Sequence, residues 1–254
     1  MPRKLGQHFL ADRRSLDRIA AAACPEPGAV VLEIGAGAGA LTGPLLRRAA
    51  RVIAIERDET LVARLGRRFP EEPRLEIVAG DALEIDLARW GRVSVAGNLP
   101  YYITSPIIER ILKLGGLVER AVLLVQKEVA ERLTASPGSR NYGFLTVQTR
   151  LFSRPELLFS VPPSAFRPPP KVQSAVVRLT PVAVAESLDT AGFLRFAGLC
   201  FRQKRKTLRN NLLGAYAKEN LESLPEGRLR AEQIDVARLI ELYATVLGTS
   251  AQLR

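Results

Sequence analysis

Asn98-Leu99-Pro100-Tyr101 is the stretch whose residue types and spacing point most directly to chemistry. An exocyclic amine such as adenine N6 has its lone pair delocalised into the ring, which makes it a poor nucleophile. A site helps by accepting both N–H hydrogens with carbonyl oxygens and steering the nitrogen towards sp3 geometry. Asn98 and the backbone around Leu99 are suited to supply those acceptors. Pro100 fixes its own φ and biases Leu99 to an extended conformation, and Tyr101 offers a face on which a base can stack. The same four residues also suit a plain turn after a buried strand, with Tyr101 as rim packing. The rest of the chain has to decide between methylation of a base and a turn.

A second group of residues suits a nucleoside. Glu33-Ile34-Gly35-Ala36-Gly37-Ala38-Gly39 closes one apolar strand and opens a helix, and its glycines let the backbone come close to a ligand. The third glycine arrives one residue early for the dinucleotide fingerprint, which fits a nucleoside without a pyrophosphate. Glu56, at the end of the next strand, is placed to accept from ribose hydroxyls, and Asp81 in Gly80-Asp81-Ala82 could accept from an adenine amino group. The plainer role for either acid is to cap the following helix. Asn98 ends the next strand again, so S-adenosylmethionine fits the layout with its methyl towards Asn98.

Two stretches suit nucleic acid. Arg202, Lys204, Arg205, Lys206 and Arg209 crowd into residues 202–209. On a helix, Arg202, Arg205, Lys206 and Arg209 share one face, with Phe201, Leu208 and Leu212 beside it as an apolar stripe and Lys204 on the stripe's far side. Phe166-Arg167-Pro168-Pro169-Pro170-Lys171-Val172 is a stiff, extended loop that can hold Phe166 as a second stacking face; the competing role for Phe166 is core packing.

The elements that position these residues alternate. Strands are expected at 29–34, 52–55, 75–78, 93–96 and 121–125, and helices at 41–49, 59–69, 105–114 and 127–134. That order specifies an α/β fold with a parallel sheet, because right-handed crossovers need a helix between strands. Strands at 157–161 and 175–179 should close the sheet as an antiparallel hairpin. Beyond Pro181 only helices follow, at 190–213 and 231–247, which divides the chain into a domain of residues 1–185 and a helical one of residues 186–254.

Composition narrows the function. The 254 residues carry 37 Lys and Arg against 26 Asp and Glu, a net charge of +11, and such a surplus favours polyanions, nucleic acid above all. Cys24 and Cys200 are far apart and read as reduced core residues, and one histidine leaves no His/Cys set for zinc. Chemistry without a metal is therefore expected. No apolar run is long enough to span a membrane, so a cytoplasmic protein without membrane attachment is expected.

Taken together, these motifs resemble the small-subunit ribosomal RNA adenine N6-dimethyltransferase family of the KsgA type. The likeness runs from Gly6 to about Leu213 and includes Gly6-Gln7-His8-Phe9-Leu10 and Gln126-Lys127-Glu128 as well as the stretches above. It implies a Rossmann-like class I methyltransferase sheet with a smaller all-helical C-terminal domain. His8, Leu10, Gly35, Glu56, Asp81 and Asn98 would hold S-adenosylmethionine, although asparagine is frequent in the family where this chain has His8. Asn98 to Tyr101 and Phe166 would flank the target base. Arg202, Lys204, Arg205, Lys206 and Arg209 make up the expected RNA contact. The implied reaction is dimethylation of N6 on two adjacent adenosines near the 3′ end of small-subunit rRNA, by a monomer acting on an immature 30S particle during ribosome assembly. Three other readings compete: the large-subunit methyltransferase of the macrolide-resistance type, a non-catalytic assembly factor, and a nicotinamide dehydrogenase resting on the glycine turn alone.

Overall fold

The structure, a computed structural model, describes residues 8–100 and 103–248. By contacts the chain forms two compact units. One holds the described residues up to Ala130 together with Phe152–Ala183; the other holds Glu131–Leu151 and the described residues from Val184 onward.

The first unit is built on a seven-stranded sheet. Five strands are parallel: β2 (Val30–Ile34), β3 (Arg51–Glu56), β4 (Leu75–Ala79), β5 (Val93–Asn98) and β6 (Val118–Gln126), in the order β4-β3-β2-β5-β6. The sheet continues through β9 (Ser174–Pro181), antiparallel to both β6 and β7 (Ser153–Val161). The expected hairpin is therefore present, with its second strand lying inside its first. A short pair, β1 (Phe9–Leu10) and β8 (Phe166–Arg167), joins two distant motifs in the register Leu10↔Phe166.

The central strands read as near-continuous apolar runs because both faces of a parallel sheet are covered. Val31, Leu32, Val52, Ile53, Val95 and Ala96 have no exposed surface. Helices α1 (Arg13–Ala23), α2 (Thr42–Leu46), α3 (Glu59–Arg68) and α4 (Thr104–Lys113) supply the cover. The sequence pattern did not single out α1. It starts where Asp12 accepts from the Ser15 amide at 2.8 Å, and it buries Leu16, Ile19, Ala20 and Ala23 at helical spacing. Alanines carry half of that face, which makes its periodicity faint.

Between β2 and its neighbours the strand order reverses direction: β3 lies on one side and β5 on the other. In such sheets a crevice opens beyond the carboxyl ends of the strands at this switch point. The registers Ile34↔Ile55, Glu56↔Ala79 and Ile34↔Gly97 bring the ends of all four strands to one edge.

α5 (Lys127–Thr134) and α6 (Phe144–Phe152) lead between the units, and the second unit contains α7 (Thr190–Cys200), α8 (Leu208–Leu212), α9 (Lys218–Glu222) and α10 (Val236–Val246). Phe196 packs on Tyr243 with centroids 5.4 Å apart, and the Tyr243 hydroxyl donates to Asp189, which also caps α7. The segment 131–151, read from the sequence as part of the first domain, groups with these helices. The single helix expected over 190–213 is not formed. It stops at Cys200 and restarts at Leu208, where Thr207 caps the new turn.

Asn211 accounts for that break. Its amide nitrogen donates to the carbonyls of Cys200 at 2.9 Å and Gln203 at 3.1 Å, while its oxygen accepts from the Gln203 amide at 3.1 Å. A buried side chain thus satisfies backbone groups that a helix end otherwise leaves unpaired. The four-cation helix face expected of Arg202, Arg205, Lys206 and Arg209 is corrected accordingly: residues 201–206 form a turn.

Candidate active site

The candidate donor-site residues Gly35, Glu56, Asp81 and Asn98 lie at or just beyond strand ends. Gly35 follows β2 with φ +74, a conformation that strains any side chain, and its amide donates to the Ile55 carbonyl at 2.9 Å. Gly97 matters equally and was not singled out from the sequence. A Cβ there would stand 2.6 Å from the Ile34 carbonyl, so only glycine lets β5 run beside β2 just before Asn98.

Glu56 is not a helix cap; Asp58 takes that role by accepting from the Thr60 and Leu61 amides. One Glu56 oxygen accepts from the amides of Arg57 and Asp58 at 2.8 and 2.9 Å, and the other accepts from Gly37 at 2.8 Å. These bonds fix the carboxylate and draw the glycine turn against it. Asp81 accepts from the Leu83 amide at 2.9 Å and pairs with the Arg57 guanidinium at 3.0 Å. Arg110, on α4, donates to the carbonyls of Leu83 and of Ile85, tying down the turn that carries Asp81. Arg57 and Arg110 both escaped the sequence pattern, since their partners are distant in the chain.

Asn98 ends β5. Its Nδ2 donates to the His8 carbonyl at 3.0 Å, and the His8 ring Nδ1 lies 2.8 Å from the Pro168 carbonyl, to which it donates. His8 thus meets Asn98 through its backbone and the proline-rich loop through its ring. Leu99 is buried with its amide bonded to the Leu124 carbonyl at 3.1 Å. The Pro100 carbonyl accepts from Ile103 and from the Thr104 hydroxyl, both at 3.1 Å, so it is committed to starting α4.

A cavity of about 330 Å³ gathers His8, Gly35, Glu56, Asp81, Asn98, Leu99 and Pro100, with Arg57 also on its wall. A smaller space of about 90 Å³ beside it is lined by Leu10, Glu33, Gly35 and Asn98 among others. Glu33 is buried beneath the glycine turn and accepts from the Thr42 hydroxyl at 2.6 Å. Burial pushes its carboxyl up to about 8, opposed by the Thr42 bond and reinforced by the Glu56 carboxylate. Two expected base contacts fare differently. Tyr101 lies outside the described residues, as do Gly6 and Gln7. Phe166 has no exposed surface and belongs to the core with Leu10, Ile19, Leu45 and Val176. The strand alternation of β8 turns Phe166 inward and leaves Arg167 outside, so the ring presents no stacking face here; the expectation is corrected to a packing role.

The cleft suits a nucleoside donor. It offers a fixed carboxylate at one strand end, a second carboxylate at the next, and a glycine whose missing Cβ admits a close approach. Fold and cleft together define a Rossmann-like class I methyltransferase. The sequence profile described as ribosomal RNA adenine dimethylase matches residues 1–244, and the chain belongs to that family. It is 44% identical to the ribosomal RNA small subunit methyltransferase A of Thiobacillus denitrificans, over 93% of this chain and 94% of that protein. The protein of the same name from Chlorobium chlorochromatii is 40% identical over 96% and 93%. Among solved structures, a dimethyladenosine transferase from Plasmodium falciparum aligns with a TM-score of 0.82 at 30% identity, covering 92% of this chain and 96% of that one. The 23S rRNA methyltransferase ErmE aligns with a TM-score of 0.75 at 30% identity, over 94% and 99%.

Proposed function

We propose that this enzyme dimethylates N6 of two adjacent adenosines near the 3′ end of small-subunit rRNA, acting as a monomer on an immature 30S particle in the cytoplasm. The observation that carries the reading is the oriented amide of Asn98 on the wall of a cavity shared with Glu56 and Asp81. S-adenosylmethionine, held by His8, Leu10, Gly35, Glu56, Asp81 and Asn98, supplies an electrophilic methyl group. With its nitrogen end bonded to His8, Asn98 presents Oδ1 as the acceptor for the N6 hydrogens. The nitrogen gains positive charge as it reacts, so a neutral acceptor stabilises it and no strong base is required. Leu99 and Pro100 hold Asn98 at the strand end, and Tyr101 supplies the stacking face for a base taken out of its helix. Stacking of about 1 to 3 kcal/mol per base offsets part of the unstacking cost. A pocket that acts twice on one nitrogen must also admit N6-methyladenine.

The relatives at 40% to 44% identity are named for the small subunit, which favours that substrate over large-subunit rRNA. No helix among the described residues is long and apolar enough to cross a membrane. The test is mass spectrometry of rRNA nucleosides after incubation with the donor and either undermethylated 30S particles or large-subunit rRNA. Dimethyladenosine in the 30S sample is expected, and methylation confined to large-subunit rRNA overturns the assignment.

A further inference from the structure

We propose that Glu33 sets the preference for S-adenosylmethionine over its demethylated product, by giving up a proton to solvent when the cationic donor binds and regaining one when the product takes its place. The inference deepens the donor reading above and rests on it.

Glu33 is the penultimate residue of β2, buried beneath the glycine turn, and it lines the space of about 90 Å³ beside the main cavity. Phe9, Gly35, Gly37 and Asn98 line both spaces, so the two adjoin along that wall. In the proposed pose Asp81 takes the adenine, Glu56 takes the ribose, and the reacting methyl lies towards Asn98. The rest of the donor, a short arm bearing an ammonium and a carboxylate, then has the smaller space beside Gly35 and Asn98 to enter. Leu10, Leu16, Ile19 and Leu41 give that space apolar walls, and among the described residues that line it Glu33 alone is titratable.

No positive charge acts on Glu33 among the described residues. From α2 the Thr42 hydroxyl donates to it at 2.6 Å, and β5 brings the neutral Asn98 amide. The apolar side chains come from β1 and α1, and β3 brings the Glu56 carboxylate, an anion. Burial pushes the Glu33 carboxyl up to about 8, with the Thr42 bond opposing and Glu56 adding to it. At neutral pH the donor-free enzyme therefore holds a neutral acid there, which avoids the cost of an unpaired buried carboxylate.

The donor carries a sulfonium and an ammonium against one carboxylate, and the product lacks the sulfonium. A nearby cation favours the ionised form of an acid, so Glu33 releases its proton as the donor enters. Methyl transfer takes the charge from sulfur, Glu33 recovers a proton from solvent, and the attraction that set donor apart from product is gone. A glutamine here cannot respond to charge in this way. Because binding is coupled to proton loss, donor affinity climbs with pH and levels off above about 8.

The test is calorimetric titration of the full-length protein with S-adenosylmethionine and with S-adenosylhomocysteine, in buffers of differing ionisation enthalpy, which counts the protons exchanged. The donor's own amino group titrates near the same range, so the count is read as the difference between wild type and Glu33→Gln. At about pH 7 wild type should release about 0.5 to 1 proton more than the variant on binding donor, and roughly half as many or fewer on binding product. From about pH 6 to pH 8 the donor-to-product affinity ratio should rise about three- to tenfold more in wild type than in Glu33→Gln. Thr42→Val is a second check, since loss of the hydroxyl bond should move the levelling-off of donor affinity to higher pH. A proton difference below about 0.2 with donor bound overturns the proposal, as does an affinity ratio that changes equally in wild type and Glu33→Gln, or a levelling-off that does not move in Thr42→Val. A wild type that binds neither ligand overturns the donor reading and this proposal together, whereas binding without proton release overturns this proposal alone.

Discussion

The side-chain amide of Asn98 donates to the backbone carbonyl of His8 at 3.0 Å, across 90 residues of sequence. A carbonyl only accepts, so this bond decides which end of the amide is which: nitrogen faces His8, and Oδ1 is turned to the other side. In the proposed reaction that oxygen is the acceptor for the incoming amine. Because the contact uses the His8 backbone, it does not depend on the histidine ring, which is engaged with Pro168.

Asn98→Ala removes the acceptor and leaves the His8 carbonyl without this donor. The rate of methyl transfer should fall by about 10²- to 10³-fold, the usual cost of losing one oriented hydrogen-bonding group in a transition state. Binding to 30S particles should change less than about twofold, because the effect is confined to the reacting group. Single-turnover transfer of labelled methyl, measured beside particle sedimentation, separates the two; a mutant with wild-type turnover refutes the role of Asn98.

Glu33 should make stability depend on pH. Its folded pKa of about 8 lies above the ordinary 4.5, so between those values the folded protein holds a proton that the unfolded chain has released. The stability from that proton is complete below about pH 4.5 and is lost as pH rises towards 8. Glu33→Gln keeps an acceptor for Thr42 and has no charge to bury. Denaturant titration should show the variant gaining on wild type from pH 5 to pH 8, and a constant difference across that range would show that Glu33 does not titrate in this way.

Phe166→Ala tests packing against stacking. Deleting a fully buried phenylalanine costs about 3 to 5 kcal/mol, so the thermal midpoint should drop by many degrees. A variant of unchanged stability but weakened RNA affinity would restore the stacking role expected from the sequence.

Asn211→Ala strips a partner from the Gln203 amide and the Cys200 carbonyl, while the Gln203 carbonyl keeps its bond from the Lys206 amide; a buried group left unpaired costs about 1 to 3 kcal/mol. Asn211→Asp should be nearly as harmful, since a carboxylate can accept from Gln203 but cannot donate to the two carbonyls. Chemical denaturation of both variants checks this. A harmless Asn211→Asp would mean that the donor bonds do not hold the turn.

The sheet was readable because its signals are local. Short apolar runs punctuated by Gly35, Gly80 and Pro100 need only nearest neighbours to be interpreted, and the expected strands at 29–34, 52–55, 75–78 and 93–96 lie within one or two residues of β2 to β5. Glu56, Asp81 and Asn98 could be assigned to one edge because parallel strands end on the same side. The helix over 190–213 failed for the opposite reason. Its propensity and cation spacing are compatible with a helix, but Asn211 folds back on the chain and offers the backbone better partners at Cys200 and Gln203 than further helix would.

By itself, then, the amino-acid order determined the strand and helix alternation, the glycine turn, the acids at successive strand ends and the excess of positive charge, all of which follow from short-range periodicity and residue chemistry. Only the tertiary structure decided which way the Asn98 amide points, that Arg57 pairs with Asp81, that Phe166 is interior, and that Lys204 is spent on Arg140 and Glu232 while Arg228 and Arg230 stand exposed. Those facts rest on hydrogen bonds and packing between residues far apart in the chain, whose geometry no local pattern encodes.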